Sequence, residues 1–424
     1  MTKEKKTNKT YRIACHGVTR ENSGSGVGAS YLILEELLKR GHQIDFFNHK
    51  GSVYPKNLLN YKNFNFFNTK RYPSSSFSKK LPPTLQKTTP IIDAILNPLT
   101  AWSIYQEVLA KHKQKSYELL FFSERYPLFN LEKVPTVAWC PSPPQTERYY
   151  NLQKLRKEII SINGILLYIK LLVLYGFKAI FVMPRIKENY QHTLICGSKW
   201  SKEKMVSYGF KPENIKALPY PVDTEIFNLD LPLINRKKDE IVLLWLGRSD
   251  PRKRLDLLLA AYELVLQERK DIKLKIFAQF RYAPKYKKLI NHFPFPDRIE
   301  YQPYIERTQV PNLMAQCDAL IQPSEGENFG SSVAEALCCG LPVIVGPTNG
   351  TKDYISASSF VFSEYTPKSL KETMLKAIEA IERDRQGLAM DARKTAEINF
   401  DVSRVVDRLE DIFDEATTSR KTDS

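Results

Sequence analysis

A chain of 424 residues is too long for one ordinary hydrophobic core and suits two domains. Its 42% apolar content, with no long low-complexity tract, excludes a disordered or fibrous protein. The formal charge of +16 sits wholly in the first half: up to residue 230 there are 34 Lys and Arg against 18 Asp and Glu, and afterwards 29 against 29. A field of that sign draws phosphate, on a lipid, a membrane or a nucleic acid, although a merely solubilising surface has the same charge.

In chain order, residues 1–10 are polar and basic and lack the apolar run of a signal peptide, which predicts a disordered end on a protein of the cytoplasmic side. From Tyr11 an apolar strand (YRIACHGV), a turn with Gly24, Gly26 and Gly28, an amphipathic helix closing at Gly41 and a second strand (IDFF) form a βαβ opening. Residues Asn68 to Pro90, rich in Ser, Pro and Lys, read as a mobile basic loop. Strand-like runs follow at ELLFFS, PTVAWC and HTLICGS. Between the last two lies Gly164 to Met183, nearly long enough to span a bilayer but interrupted by Lys170 and Lys178. It reads either as a helix lying on a membrane surface or as a buried core helix, and periodicity does not choose.

A charged stretch (NLDLPLINRKKDE) then resembles an interdomain linker, dividing an N-terminal domain, 11–230, from a second βα series, 231–395, with a helix and polar tail over 396–424. In that series IVLLWLG, LKIFA, DALIQPS and LPVIVG alternate with helical patterns, which predicts an α/β architecture: two Rossmann-like domains whose parallel sheets face each other across a cleft. The six cysteines (Cys15, Cys140, Cys196, Cys317, Cys338, Cys339) have neither CxxC spacing nor neighbouring histidines, so they read as reduced core thiols and not a metal site.

Two segments carry chemistry. In PSEGENFGSSVAEALCC a strand ends, a loop presents Glu327, and a helix begins near Ser331 with Glu335 one turn inside. Gly330 permits close approach of a ligand to backbone, and the amides of Ser331, Ser332 and Val333 at the helix start suit a diphosphate. In WLGRSDPRKRLDLL a strand delivers Arg248 to its carboxyl end and Lys253 follows near the next helix, so a guanidinium and an ammonium can reach one diphosphate. Either segment alone could be solvated surface charge; sharing one half-chain, they read as one anion site at the edge where ligands bind open α/β sheets.

These segments resemble the E-x7-E (Glu327 to Glu335) and R-x4-K (Arg248 to Lys253) signatures of glycosyltransferase family 4, retaining enzymes of the GT-B fold. GSKWSKEKMVSYGF with PYPVDTEIF is similar to that family's interdomain segment, and the glycine-rich opening to its first βαβ unit; the likeness is weakest between Asn48 and Tyr190. The resemblance implies that Glu335 binds the nucleotide ribose, that Glu327 contacts the donor sugar with help from the amides of Asn328, Phe329 and Gly330, and that Arg248 and Lys253 neutralise the diphosphate. Ser331, Ser332, Gly26 and Gly28 complete the expected donor-binding set. Two departures touch the acceptor side: TVAWCPSPP has Cys140 where many members place a histidine, and SGSGVG alternates glycines where they are usually adjacent. His16 is the nearest acceptor-side candidate, although a lone histidine beside a glycine is commonly structural.

No two aspartates stand one residue apart, so a metal clamp of the D-x-D kind is missing and metal-independent chemistry with no cofactor is expected. The expected function is transfer of a sugar from a nucleotide-diphosphate donor to a glycan or lipid-linked acceptor, by a cytoplasmic enzyme peripheral on an anionic membrane. A non-catalytic nucleotide-sugar-binding subunit and a GT-B epimerase are the rivals. No recognition motif supports nucleic-acid binding.

Overall fold

The structure, a computed structural model, describes residues 9–50, 52, 55–71, 89–181, 191–228, 240–279, 284–356 and 358–419. Most of the expected basic loop, most of the linker, Arg185 and Lys187, and the two chain ends lie outside the described residues.

The first sheet has seven strands: β1 (Arg12–Gly17), β2 (Gln43–His49), β3 (Phe64–Thr69), β4 (Leu119–Ser123), β5 (Thr136–Trp139), β6 (Thr193–Cys196) and β7 (Ile215–Ala217), in the order β3-β2-β1-β4-β5-β6-β7. Every pairing is parallel, with Ile13 opposite both Ile44 and Leu119. The second sheet comprises β8 (Ile241–Leu246), β9 (Ile272–Phe277), β10 (Ile299–Gln302), β11 (Ala319–Gln322), β12 (Val343–Val345) and β13 (Ser359–Val361), also parallel, ordered β10-β9-β8-β11-β12-β13. The continuous apolar runs of β1, β4, β8 and β11 follow from helices covering both faces, which leave no solvent side for alternation. In a parallel sheet all carboxyl ends share one edge. The turns after β1, β4 and β5 therefore line one edge, and those after β8, β11 and β12 line the other domain's edge.

The domains are joined by direct hydrogen bonds. Ser198 Oγ donates to the Asn328 carbonyl at 2.8 Å, Tyr354 Oη to the Gly197 carbonyl at 3.1 Å, and the Trp200 amide to Asp353 Oδ2 at 2.9 Å. Beyond Pro367–Asn399 the chain bends at Phe400, and its last helix, Val402–Ser419, returns to the N-terminal sheet. There Phe413 is buried edge-on against Phe121 and Tyr11, and Arg40 pairs with Asp407 and Glu410, each at 2.7 Å.

The segment read either as a membrane-surface helix or as a buried core helix is half-buried. Its helix, Ile165–Phe181, buries Tyr168 and Tyr175 on one side and exposes Ile165, Leu166, Ile169, Leu172, Val173 and Ile180 on the other. Among the described residues no helix is long and apolar enough to cross a membrane. All six cysteines are buried thiols.

Candidate donor site and the cleft edge

After β8 the chain turns through Arg248, which is exposed, into the short helix Pro251–Lys253, capped by Asp250 accepting from the Arg252 amide at 3.1 Å. Arg254 then takes a left-handed conformation (φ 51°) before the helix Leu255–Glu268 begins. A non-glycine residue there is strained, and the strain is held by ion pairs of Arg254 with Glu325 and with Asp256 at 3.2 Å. Across this turn lies the loop after β11. Lys253 Nζ donates to Glu327 Oε2, joining the two sequence signatures in one ion pair. Burial raises the Glu327 pKa, but Lys253 and Arg252 outweigh it, and the carboxyl is held ionised below its ordinary value.

Gly330 sits at φ 101°, where a Cβ would meet Asn349 Oδ1 at 2.8 Å, so only glycine makes this turn into the helix Ser331–Cys338. The helix has no side-chain cap, but one of the three amides expected to be open is used: the Val333 N–H donates to the Gly330 carbonyl at 3.0 Å. The Ser332 hydroxyl accepts from Gln322 Nε2 at 3.0 Å, while Gln322 Oε1 is buried without a partner. Glu335, 4% exposed, accepts from Arg307 Nη2 at 2.7 Å, a partner that the sequence did not reveal. The Glu327 amide is engaged by the Thr348 carbonyl at 3.1 Å, and the Phe329 ring is buried against Tyr220, Tyr354 and Phe400. Asn328 faces the other domain: its Nδ2 donates to Tyr220 Oη at 3.2 Å and its Oδ1 accepts from the Gly197 amide at 3.3 Å.

On the facing edge, Gly26 and Gly28 are buried in the first turn of the helix Ser25–Lys39. A Cβ on Gly26 would lie 2.1 Å from the Glu124 carboxyl, so that glycine makes room for a half-buried acid immediately after β4. His16 is buried at the end of β1, its Nδ1 2.8 Å from the Phe47 carbonyl oxygen and its ring edge-on to Phe122. Burial, helped by Arg125, lowers its pKa to about 3, so at neutral pH it is an uncharged ring within the sheet. Tyr150 lies against Gly326, and Lys154 reaches within 3.9 Å of Glu325; residues of the N-terminal domain thus close over the donor loop. Arg252, Arg254, Glu325 and Arg307 were missed as site residues. The first two stand inside the basic cluster and Glu325 two positions before Glu327, so charge density was the available signal; Arg307 had none.

Two parallel-sheet domains that meet at a charged cleft edge have the GT-B architecture. The model of the family Glycosyl transferases group 1 matches residues 231–395, within the C-terminal domain. The matching subunit of human phosphatidylinositol N-acetylglucosaminyltransferase is 25% identical over 222 residues, covering 52% of this chain and 45% of the relative. The D-inositol 3-phosphate glycosyltransferase of Streptomyces coelicolor is 26% identical over 122 residues, 27% of either chain. The chain thus spans under half the length of these curated relatives. Among solved structures, Anabaena HepE in complex with UDP and glucose matches with TM-score 0.61 and 16% identity over 96% of this chain and 100% of that one. The catalytic domain of starch synthase IV from Arabidopsis thaliana, bound to ADP and acarbose, matches with TM-score 0.67 and 10% identity over 97% and 100%. Likeness at such identity concerns the fold.

Proposed function

We propose that the protein is a retaining, metal-independent glycosyltransferase that moves a sugar from a nucleotide-diphosphate donor to a lipid-linked or cell-surface glycan acceptor. The observation that carries this reading is the Lys253–Glu327 pair, flanked by Arg248 and Arg252 at the carboxyl edge of the second sheet, with Glu335 held at the adjoining helix. A diphosphate arriving beside Lys253 competes with Glu327 for the ammonium. Once released, the carboxylate is free to accept from the hydroxyls of the donor sugar. Cleaving the sugar–phosphate bond builds negative charge on the leaving diphosphate, which Arg248, Arg252 and Lys253 stabilise where a metal otherwise would. Glu335, fixed by Arg307, is set to accept from ribose hydroxyls.

A lipid-bearing acceptor fits the exposed apolar side of the helix Ile165–Phe181 and the basic N-terminal half, and the human relative's name specifies phosphatidylinositol. On this reading the enzyme is peripheral on the cytoplasmic face of a membrane. Incubation with UDP-, GDP- and ADP-sugars, with and without membrane lipid extract, tests the proposal: nucleotide release that rises with lipid is expected. Absence of release with every donor would overturn it.

A further inference from the structure

Between β5 and the helix Ile165–Phe181 the chain passes over the donor loop. The short helix Pro144–Tyr149 opens into a π-helical turn, Tyr150–Lys154, a wider winding that is frequent at functional sites. Both ends of this turn reach the other domain. Tyr150 is buried, and a Cβ on Gly326 would meet its ring carbons Cε2 and Cδ2 at 2.4 and 2.5 Å, so the ring rests directly on the Gly326 backbone. Lys154 Nζ lies 3.9 Å from Glu325 Oε1. The two contacts fall on the residues immediately before Glu327.

Within its own domain the loop is fixed through its backbone. The Glu325 amide donates to the Arg252 carbonyl at 2.7 Å, the Gly326 amide to Thr348 Oγ1 at 2.9 Å, and the Gly350 amide to the Glu327 carbonyl at 3.0 Å. Gly326 has the widest backbone freedom of the loop and no side chain of its own to pack. The Tyr150 ring supplies that packing from the other domain.

The π-helical turn is itself anchored by the helix Ile165–Phe181. Of that helix's described side chains only Tyr168 and Tyr175 are buried, about two turns apart on one face. Both bond to the middle of the turn: Tyr168 Oη donates to the Leu152 carbonyl at 3.1 Å, and Asn151 Nδ2 donates to Tyr175 Oη at 2.7 Å. Tyr168 also packs in one apolar cluster with Tyr150, Leu155, Ile159 and Trp200.

We propose that Tyr150 is a positioning residue that keeps Gly326 and Glu327 in place for the donor sugar, and that Tyr168 and Tyr175 hold it there. A helix of the N-terminal domain thereby sets the order of a loop in the C-terminal one. Only the role of Glu327 in that statement rests on the proposed function; the contacts from helix to loop stand without it.

Hydrogen exchange of the peptide over residues 324–330, in the full chain without nucleotide, tests the contact. Tyr150→Ala should speed exchange there about tenfold, and Tyr150→Phe, which keeps the ring, should leave it at the wild-type rate. Tyr168→Phe combined with Tyr175→Phe removes two remote hydroxyls and leaves both rings; it should speed the loop about fivefold. Exchange in β8 and β11 should be unchanged in all three, which separates a loosened loop from a destabilised domain. With a donor that turns over, Tyr150→Ala should lower kcat about tenfold at nearly constant donor KM, because Glu335 and the diphosphate cations keep their places, and Tyr150→Phe should restore it. Equal effects of alanine and phenylalanine at Tyr150, a loop rate indifferent to the double hydroxyl removal, or faster exchange that spreads to β8 and β11 would each overturn the proposal. If the loop responds as expected but no nucleotide-sugar is turned over, the positioning contact stands and the proposed activity is what fails.

Discussion

At the scale of single residues, the two glutamates are expected to fail differently. Glu335 is tied to Arg307, so Glu335→Gln, which leaves the arginine a hydrogen-bond partner, isolates its contact with ribose. It should raise the donor KM about tenfold with kcat nearly unchanged. Glu327→Gln should lower kcat about a hundredfold, because its contact strengthens as the sugar–phosphate bond breaks. Steady-state kinetics that showed the same pattern for both would contradict the assignment. If Arg248, Arg252 and Lys253 carry the leaving-group charge, turnover survives EDTA; loss restored by Mg²⁺ would contradict it. Glu124 also makes a stability prediction. Its native pKa of about 7 lies above the ordinary 4.5, so between these values the native state keeps a proton that the unfolded chain has lost. Wild-type stability should therefore fall relative to Glu124→Gln as pH rises from 4.5 to 7 and level off above. Urea unfolding of both proteins across that range checks the sign.

At the scale of elements, runs such as IACHG, LLFFS and IVLLWL were legible because strands buried on both faces are apolar throughout. The strand Phe64–Thr69 was not, since it lies at the sheet edge and its asparagines break the pattern. The two halves of the donor site were readable because each motif is local, one strand end and the following turn. Their partners were not. Arg254 meets Glu325 across 71 positions and Tyr220 meets Asn328 across 108, and only the folded chain selects such pairs. The last helix shows the same distance effect: the helix itself was visible, but not that it covers the first domain's sheet. Phe413→Ala should accordingly cost about 3–5 kcal/mol. Hydrogen exchange should locate the loss in β1 and β4, next to the Tyr11 and Phe121 rings, and unchanged protection there would show that the helix does not support that sheet.

At the scale of the whole molecule, charge and apolar exposure meet on the N-terminal domain. At 100° per residue, Ile165, Leu166, Ile169, Leu172, Val173 and Ile180 fall in one arc of their helix, bordered by the exposed Lys170. Leu166 is 75% exposed, and Trp102, on the neighbouring helix Thr89–Gln114, is 58% exposed. A soluble surface seldom carries such a patch without a use. Lys154 and Arg156, two obvious basic candidates on sequence, are partly committed elsewhere, Lys154 near Glu325 and Arg156 over the Tyr168 ring. The apolar arc should therefore dominate docking, with the surrounding basic charge adding roughly 1 kcal/mol per residue near an anionic leaflet. Flotation with phosphatidylglycerol vesicles should recover the wild type and phosphatidylcholine vesicles much less of it. Leu166→Asp combined with Ile169→Asp should abolish recovery, whereas 1 M salt, which cuts the screening length to about 3 Å, should only reduce it. Flotation indifferent to the double substitution would show that this arc does not meet the membrane, and that an acceptor must reach the cleft from solution.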